Sequence, residues 1–279
     1  MITLIRQRDE LVIPANFRGN RRFQWTVELL KQHRAFLLAG EGKHNFISSR
    51  WTIVKEQLWF ETVNKCAYCE ATTKLVAHGD VEHYRPKSIY WWLAYCYDNY
   101  LVSCQICNEV FKRDEFPIAG IPLNIPILTT TTTDAELEDL ARSTAPDPFT
   151  DADGMPMADF IFQHQLERPY LLNPYFDNPD EYYAWKVDPI LKQVSMVPVD
   201  DNAVPFVLYA ETLYGLNRKE LKELRFFFYN LYDVYRLTLE DTGISLLTRE
   251  RAEAAIESMK HNSAPFAGMI RYFDRLYRP

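Results

Sequence analysis

Apolar side chains recur at helical spacing in two stretches near the start of the chain. The first runs from Phe23 to Leu38 and stops before Gly40, a residue type that often follows the end of a helix. The second runs from Ser49 to Val63 and begins at a serine, which is well suited to cap a helix N-terminus. Residues 1–63 are therefore predicted to form an N-terminal helical segment.

The pattern loosens in residues 121–167, which are rich in Thr, Asp and Pro and contain few large apolar side chains. Such a composition is typical of loops, so this segment is predicted to be a linker or a surface excursion. No repeat of fixed period and no glycine-rich phosphate loop is present in the sequence.

Regular patterns return in residues 168–279. Alternation around Val187 and Val194 predicts a short hairpin. Helical spacing predicts one long helix from Leu221 to Leu239, followed by two more helices, Arg249–Met259 and Phe266–Leu276. This region is predicted to be mainly helical, and its aromatic side chains are interpreted as core packing.

Composition places the chain among globular proteins, because 47% of its 279 residues are hydrophobic. No run approaches the ~20 apolar residues of a membrane helix, and the first residues do not resemble a secretory signal. The expected location is the cytoplasm, with no membrane partner. The net charge of -7 argues against non-specific wrapping of DNA, although charge acts locally and a few basic side chains can still contact phosphates.

Two Cys-x-x-Cys pairs, Cys66 with Cys69 and Cys104 with Cys107, have 34 residues between them. Four thiolates in this spacing suit a tetrahedral structural zinc, which leaves no open coordination position for catalysis. Two disulfides or a redox pair are the alternatives, and a reducing compartment disfavours both. Cys96 is interpreted as a small buried hydrophobe rather than a fifth ligand.

Between the two pairs lies GDVEHYRPKS, in which Glu82 and His83 are adjacent on a predicted strand. Neighbouring strand residues point to opposite faces unless a turn or bulge re-aims one of them. A carboxylate can hold a hard divalent ion, and an imidazole can take a proton from water at neutral pH. Phosphodiester hydrolysis needs both a bound cation and a base. A Glu-His pair alone would mean little, and it is informative here because it lies between the two cysteine pairs.

The stretches CAYCE, DVEHYRPKS, DNYLVSCQICN and FKRDEFP together resemble the HNH, or ββα-metal, endonucleases in their zinc-stapled form. The resemblance covers about residues 65–120. It implies that His83 is the general base, that Asn99 braces the loop carrying that histidine, and that Asn108 and Glu82 ligate a catalytic Mg²⁺ or another divalent ion. The variant would be His-Asn-Asn, with Glu82 where the family more often has Asp.

The basic residues near the motif are candidate phosphate contacts: Arg85 and Lys87 follow the histidine, and Lys112 and Arg113 follow Asn108. A solvated charged surface is the alternative for these residues. Asn99 and Asn108 also suit a turn and a helix cap, respectively.

A looser similarity extends to WWLAYCYDNYLVSC and LLNPYFDNP, which resemble the HNH subunits of Septu-type and retron-linked anti-phage systems. Those subunits pair with an ATPase, so the resemblance implies an ATPase partner and a role in antiviral defence.

The sequence thus predicts an α+β protein with an N-terminal helical segment (1–63), an HNH nuclease core (64–120), a linker (121–167) and a mainly helical C-terminal region (168–279). The predicted activity is metal-dependent endonucleolytic hydrolysis of nucleic acid, and DNA is the expected substrate. One alternative is a non-catalytic zinc module that binds nucleic acid or a protein partner. A zinc hydrolase or deaminase is disfavoured, because its H-x-E and P-C-x-x-C pattern is absent.

Overall fold

The computed structural model describes residues 1–17, 20–74 and 78–278. Within them, helices surround two antiparallel sheets of two strands each, so the fold class is α+β, as the sequence predicts. The α-helices are α1 (Asn20–Ala39), α2 (Ser49–Thr52), α3 (Lys55–Glu61), α4 (Asp134–Ser143), α5 (Met157–Glu167), α6 (Val204–Tyr214), α7 (Lys219–Glu240), α8 (Leu246–Lys260) and α9 (Ala267–Tyr277). The strands are β1 (Asp80–His83), β2 (Tyr100–Ser103), β3 (Tyr183–Asp188) and β4 (Gln193–Pro198).

The helix predicted before Gly40 is confirmed as α1, whereas the helix predicted over residues 49–63 is divided into α2 and α3. At the break, the backbone N–H of Val54 bonds to the carbonyl of Trp51, three residues back instead of four. Beyond α3, Val63 and Asn64 adopt positive φ angles of 52° and 62°, which end the helix and turn the chain towards the first cysteine pair.

The first sheet is the hairpin of β1 and β2, in which Glu82 lies opposite Leu101 and His83 lies opposite Tyr100. It is entered through Gly79, whose φ is 55°. A Cβ atom at that position would lie 2.4 Å from the ring of Trp59 on α3, so only glycine fits this approach. A π-helical segment, Ile106–Lys112, follows β2 directly.

Residues 121–167 contain α4 and α5, so this part of the chain is more than the linker that its composition predicts. Thr133 and Glu136 form a capping box at the start of α4. Leu137 and Ala141 are buried beneath it, and Asp134 pairs with Lys31 and Arg34 of α1. Although α4 contains few large apolar residues, its capped N-terminus stabilises the helix.

The predicted hairpin and the three predicted helices of the C-terminal region are confirmed as β3–β4, α7, α8 and α9. Their apolar side chains share one core with both cysteine pairs. A second core joins α1, α4 and α5 to residues 90–96, and a third joins α3 to β2. Residues 64–120 are therefore packed between the helical regions on either side. No described helix is both long and apolar enough to cross a bilayer.

Candidate metal centre and hairpin cleft

The side chains of Cys66, Cys69, Cys104 and Cys107 converge, and all four are buried. Their sulfur atoms lie within 4.8 Å of one another. Four sulfurs placed tetrahedrally at ~2.3 Å from a zinc ion would lie about 3.8 Å apart, so the cluster fits the ion after small adjustments. The cysteines can therefore hold a structural zinc, as their spacing predicts.

Backbone hydrogen bonds shape both cysteine pairs. The N–H of Glu70 donates to the carbonyl of Cys66 at 3.0 Å, and Glu70 has a positive φ of 60°, so the chain curls back after Cys69. The N–H of Ala67 donates to Val102 of β2 at 3.0 Å. The second pair follows β2 directly, so the β1–β2 hairpin carries both halves of the cluster.

Two arginines of α7 and its N-terminal cap lie beside the cluster. A guanidinium nitrogen of Arg218 is 3.7 Å from the sulfur of Cys107. Burial lowers the pKa of Arg218, but the nearby Cys107 and Cys69 raise it by more, so the net shift is upward. Burial also lowers the pKa of the Arg225 guanidinium, to about 10. Since four thiolates around a zinc ion carry a net charge of about -2, these cations partly balance it.

His83 ends β1 and is 6% exposed. Its Nε2 lies 3.0 Å from the carbonyl oxygen of Ala94. Because a carbonyl can only accept, Nε2 carries the hydrogen and Nδ1 keeps a lone pair. Trp51 and Tyr100 contact the ring edge-on, with centroids at 4.9 and 5.2 Å. Burial, reinforced by the charge of Lys87, lowers the pKa of His83 to about 3, so the ring is neutral at ordinary pH.

Asn99 is fully buried at the end of a short 3-10 turn, Tyr97–Asn99. Its side-chain oxygen accepts from the N–H of Arg85 at 2.9 Å, and its amide nitrogen donates to the carbonyl of Arg85 at 3.0 Å. The same nitrogen lies 3.4 Å from the carbonyl of Leu93. The amide thus holds the start and the end of the segment 85–93, which follows His83.

Glu82 and Lys112 form an ion pair inside the protein. The Nζ atom lies 2.5 Å from Oε1, and it also donates to the carbonyl of His83 at 3.2 Å. Burial raises the pKa of Glu82 by more than Lys112 lowers it, so the net shift is upward. Lys112 belongs to the π-helical segment, and the pair therefore ties that segment to β1.

The end of β1 and the π-helical segment enclose a cleft of about 260 Å³, here called the hairpin cleft. It brings together the predicted general base, His83, and the two predicted metal ligands, Glu82 and Asn108. Although Glu82 and His83 are adjacent on a strand, both line this cleft. The complete lining is Val81, Glu82, His83, Pro86, Lys87, Asn108, Glu109, Arg113 and Asp114.

Two of the four predicted phosphate contacts, Arg85 and Lys112, are buried away from solvent. Arg85 is fully buried, and its guanidinium forms an ion pair with Glu167 at 2.7 Å. A second guanidinium contact, at 3.2 Å, is with Nδ1 of His164. Lys112 is equally buried against Glu82. Both predictions are corrected, because each cation neutralises an internal carboxylate. Lys87 is half-buried and does line the hairpin cleft.

Sequence reasoning missed two charged residues of the hairpin cleft, Glu109 and Asp114, whereas Arg113, a predicted phosphate contact, does line it. Glu109 and Asp114 lie one and six residues after Asn108, and this proximity is a signal that could have found them. It also missed Trp51, whose aromatic edge packs on His83 from a distant helix. Nothing in the local sequence around Trp51 indicates that contact.

Comparison with known proteins shows similarity to one curated protein over part of the chain. No family model matches the chain, and no solved structure matches it. A curated relative, Septu protein PtuB of Bacillus mycoides (strain KBAB4), is 26% identical over 174 residues. The match covers 58% of this chain and 45% of the relative, so the chain spans less than half the length of that protein.

Proposed function

We propose that this protein is an HNH-type endonuclease that hydrolyses phosphodiester bonds of nucleic acid, with DNA as the first candidate substrate. The observation that carries the proposal is the hairpin cleft, where His83, whose Nδ1 is unprotonated, accompanies Glu82 and Asn108. A base and two oxygen donors in one cleft are what metal-assisted hydrolysis requires. The β1–β2 hairpin, the helical segment after it and the cysteine cluster support the same proposal, because the family resemblance implies a ββα core stapled by zinc.

In the proposed reaction His83 takes a proton from the attacking water at Nδ1. Its hydrogen bond from Nε2 to Ala94 fixes the ring and stabilises the positive charge that develops. The pKa of about 3 in the free protein would make the ring a weak base. A phosphate anion bound beside it would raise that pKa towards the working pH, because opposite charge favours the protonated ring.

Glu82 and Asn108 offer the hard oxygen ligands that Mg²⁺ prefers. When bound, such an ion would stabilise charge on the scissile phosphate and on the leaving oxygen. Glu109 and Asp114, which line the same cleft, add negative charge that would favour a divalent cation there. Asn99 would act at a distance, since it fixes the backbone of Arg85 just after the base.

We further propose a role in anti-phage defence together with an ATPase partner. The relative named as a Septu protein supports this idea, and so does the net charge of -7, because a basic companion could hold a substrate that this acidic chain repels. Full cleavage activity from the purified chain alone, with no companion protein retained on purification, would count against the partner.

One observation favours the alternative of a non-catalytic zinc module. The ammonium of Lys112 already lies against Glu82, so one of the two proposed ligands has a cation beside it. In that case the cysteine cluster would organise a binding surface, and no scission would occur.

A plasmid assay separates the two functions. Wild-type protein is incubated with supercoiled plasmid and Mg²⁺ or Mn²⁺, with and without EDTA. The nuclease is supported if nicked or linear product forms only with the divalent ion, and if His83→Ala lowers the rate by about 10²–10⁴-fold. His261→Ala, which changes an exposed histidine, is the matched control and should cut normally. Plasmid binding without scission under every metal would support the zinc module.

A further inference from the structure

One face of α7 exposes a row of large apolar side chains to solvent. The row follows intervals of three and four residues, which place its members on one side of a helix. The opposite side of α7 is buried in the core through Leu221, Arg225 and Tyr232. The exposed row, here called the α7 stripe, consists of Leu224, Phe227, Leu231, Val234 and Leu237, whose exposed fractions are 42, 57, 37, 53 and 49%.

The exposed apolar area of the α7 stripe is larger than isolated apolar side chains on a protein surface would give. Its five side chains extend over about 20 Å of helix at 1.5 Å per residue. With roughly half of each side chain exposed, the stripe presents on the order of 400 Å² of apolar surface, a value typical of the largest and often functional patch on a monomer. Such a patch is favourably covered by another apolar surface.

We propose that the α7 stripe pairs with the same stripe of a second copy of this chain, with the two helices antiparallel about a two-fold axis. Leu224, Phe227, Leu231 and Val234 occupy alternate a and d positions of a heptad. Antiparallel pairing sets a positions against d positions, so Phe227 meets Leu231 and Leu224 meets Val234. Each contact is repeated by the symmetry, and a large side chain always faces a smaller one.

The charges at the two ends of α7 favour the antiparallel direction. The C-terminal end carries an excess of carboxylates: Asp233, Glu240 and Asp241, against one arginine, Arg236. Parallel copies would bring these acidic ends together. Antiparallel copies place each acidic end beside the balanced N-terminal end, where the side chain of Lys219 is 73% exposed. Opposed helix dipoles favour the same direction.

Asn230 supplies a polar contact near the expected axis. It is exposed beside the stripe, between Phe227 and Leu231. In the heptad that starts at Leu224, Asn230 is a g position at the edge of the seam, a position whose polar contacts between helices commonly set partner choice and orientation. Antiparallel pairing brings the g positions of the two copies together near the axis, where one amide can bond to the other. Two paired stripes bury less area than a standard interface, so we expect a dissociation constant on the order of 1–100 µM.

The dimer does not rest on the proposed nuclease activity. Whatever the hairpin cleft does, pairing through α7 would join two such clefts in one symmetric assembly.

The first test is sedimentation equilibrium of the full chain over a concentration range of about 1–200 µM, chosen to bracket the expected dissociation constant. We expect wild type to pass from monomer to dimer. Phe227→Glu should remain monomeric, since a charge in the apolar seam would be desolvated. Ile190→Glu, which adds the same charge at a 91% exposed position in the β3–β4 turn, should dimerise like wild type. A wild-type chain that stays monomeric throughout overturns the proposal.

The second test is disulfide cross-linking, which is practical because the five native cysteines are buried. Asn230→Cys lies within about 3 Å of the expected axis along the helix, and Leu224→Cys pairs would be separated by ~15 Å along it. Under mild oxidation, Asn230→Cys should form a covalent dimer and Leu224→Cys should not. Cross-linking of Leu224→Cys, with or without cross-linking of Asn230→Cys, would indicate parallel helices, and cross-linking of neither would indicate a different occupant of the stripe. Either result overturns the proposal.

Discussion

The ammonium of Lys112 lies 2.5 Å from the carboxylate of Glu82, and neither side chain is appreciably exposed. Lys112, which the sequence suggests as a phosphate contact, is therefore a buried counter-charge for Glu82. The pair joins the end of β1 to the π-helical segment, so it fixes the two walls of the hairpin cleft relative to each other.

Replacement of this lysine should destabilise the protein strongly. Lys112→Met leaves the Glu82 carboxylate buried without its counter-charge, and we expect the free energy of unfolding to fall by about 3–5 kcal/mol. Urea denaturation of the zinc-loaded protein measures this loss. Glu82→Gln combined with Lys112→Met removes both charges and should recover most of it. Equal stability of Lys112→Met and wild type would show that the pair contributes nothing.

Nucleic-acid binding should depend on Lys87 and not on Arg85. Lys87 lines the hairpin cleft, and loss of one phosphate contact should reduce the slope of log K against log salt by about 1 in Lys87→Gln. Fluorescence anisotropy with a labelled duplex at several salt concentrations measures the slope. An unchanged slope would remove Lys87 from the interface.

Arg85→Gln serves as the comparison in the same titration. Its guanidinium is buried against Glu167, so the salt slope should match that of wild type while the stability falls. A reduced slope with unchanged stability would restore Arg85 as a phosphate contact.

Asn99 should control cleavage through the backbone of Arg85. Asn99→Ala leaves a buried N–H and a buried carbonyl without partners, at about 1–3 kcal/mol for each group. We expect both the free energy of unfolding and the cleavage rate to fall. In Asn99→Asp one oxygen can still accept from Arg85, but the other faces its carbonyl and cannot donate. If Asn99→Asp cuts as fast as wild type, the donated bond is unimportant.

Metal removal should unfold the region around the cysteine cluster. Cys104→Ser removes one thiolate, and we expect it to lose most of its zinc and to melt at a lower temperature, because structural zinc supplies ~10–16 kcal/mol of apparent binding free energy. Elemental analysis and calorimetry measure both effects. Cys96→Ser is the matched control, since Cys96 is buried but lies outside the cluster, and it should keep its zinc.

Acid should destabilise the protein partly through His44. Its ring stacks on Trp91 at 4.4 Å, and burial together with the neighbouring His33 lowers its pKa to about 4. Between pH 6.5 and about 4, the unfolded chain binds a proton at His44 that the folded chain does not, so the stability contributed by the neutral ring is present above pH 6.5 and is lost as the pH falls.

Urea denaturation at several pH values tests this dependence. His44→Gln should flatten the decline in stability between pH 6.5 and about 4. A decline of equal steepness in His44→Gln and wild type would place the acid sensitivity elsewhere.

Features set by neighbouring residues could be predicted from the sequence. The cysteine spacing predicts the cluster, and the alternation around Val187 and the periodicity of α7 predict elements that the structure contains. Each of these depends on side chains a few residues apart. The α4 helix escaped prediction because its capping box, at Thr133 and Glu136, stands in a segment poor in large apolar residues.

Long-range charge pairing could not be predicted. Arg85 meets Glu167, which lies 82 residues later, and no local pattern distinguishes a buried arginine from one that faces a phosphate. The same holds for the ring of Trp51 against His83. The residue types of the hairpin cleft could be predicted, but which cations face solvent depends on the packing of α5 against Arg85 and of the π-helical segment against β1.

Tyr68, inside the first cysteine pair, stacks on Tyr214 of α6 with ring centroids 3.9 Å apart. A fragment that ends near residue 120 would lack Tyr214, and the core that the cysteines share with the C-terminal helices would be exposed to solvent. The segment that carries the cysteine pairs and His83 is therefore not expected to fold on its own. Anyone grafting its chemistry onto another scaffold would have to transplant the C-terminal helices with it, or redesign the face they cover.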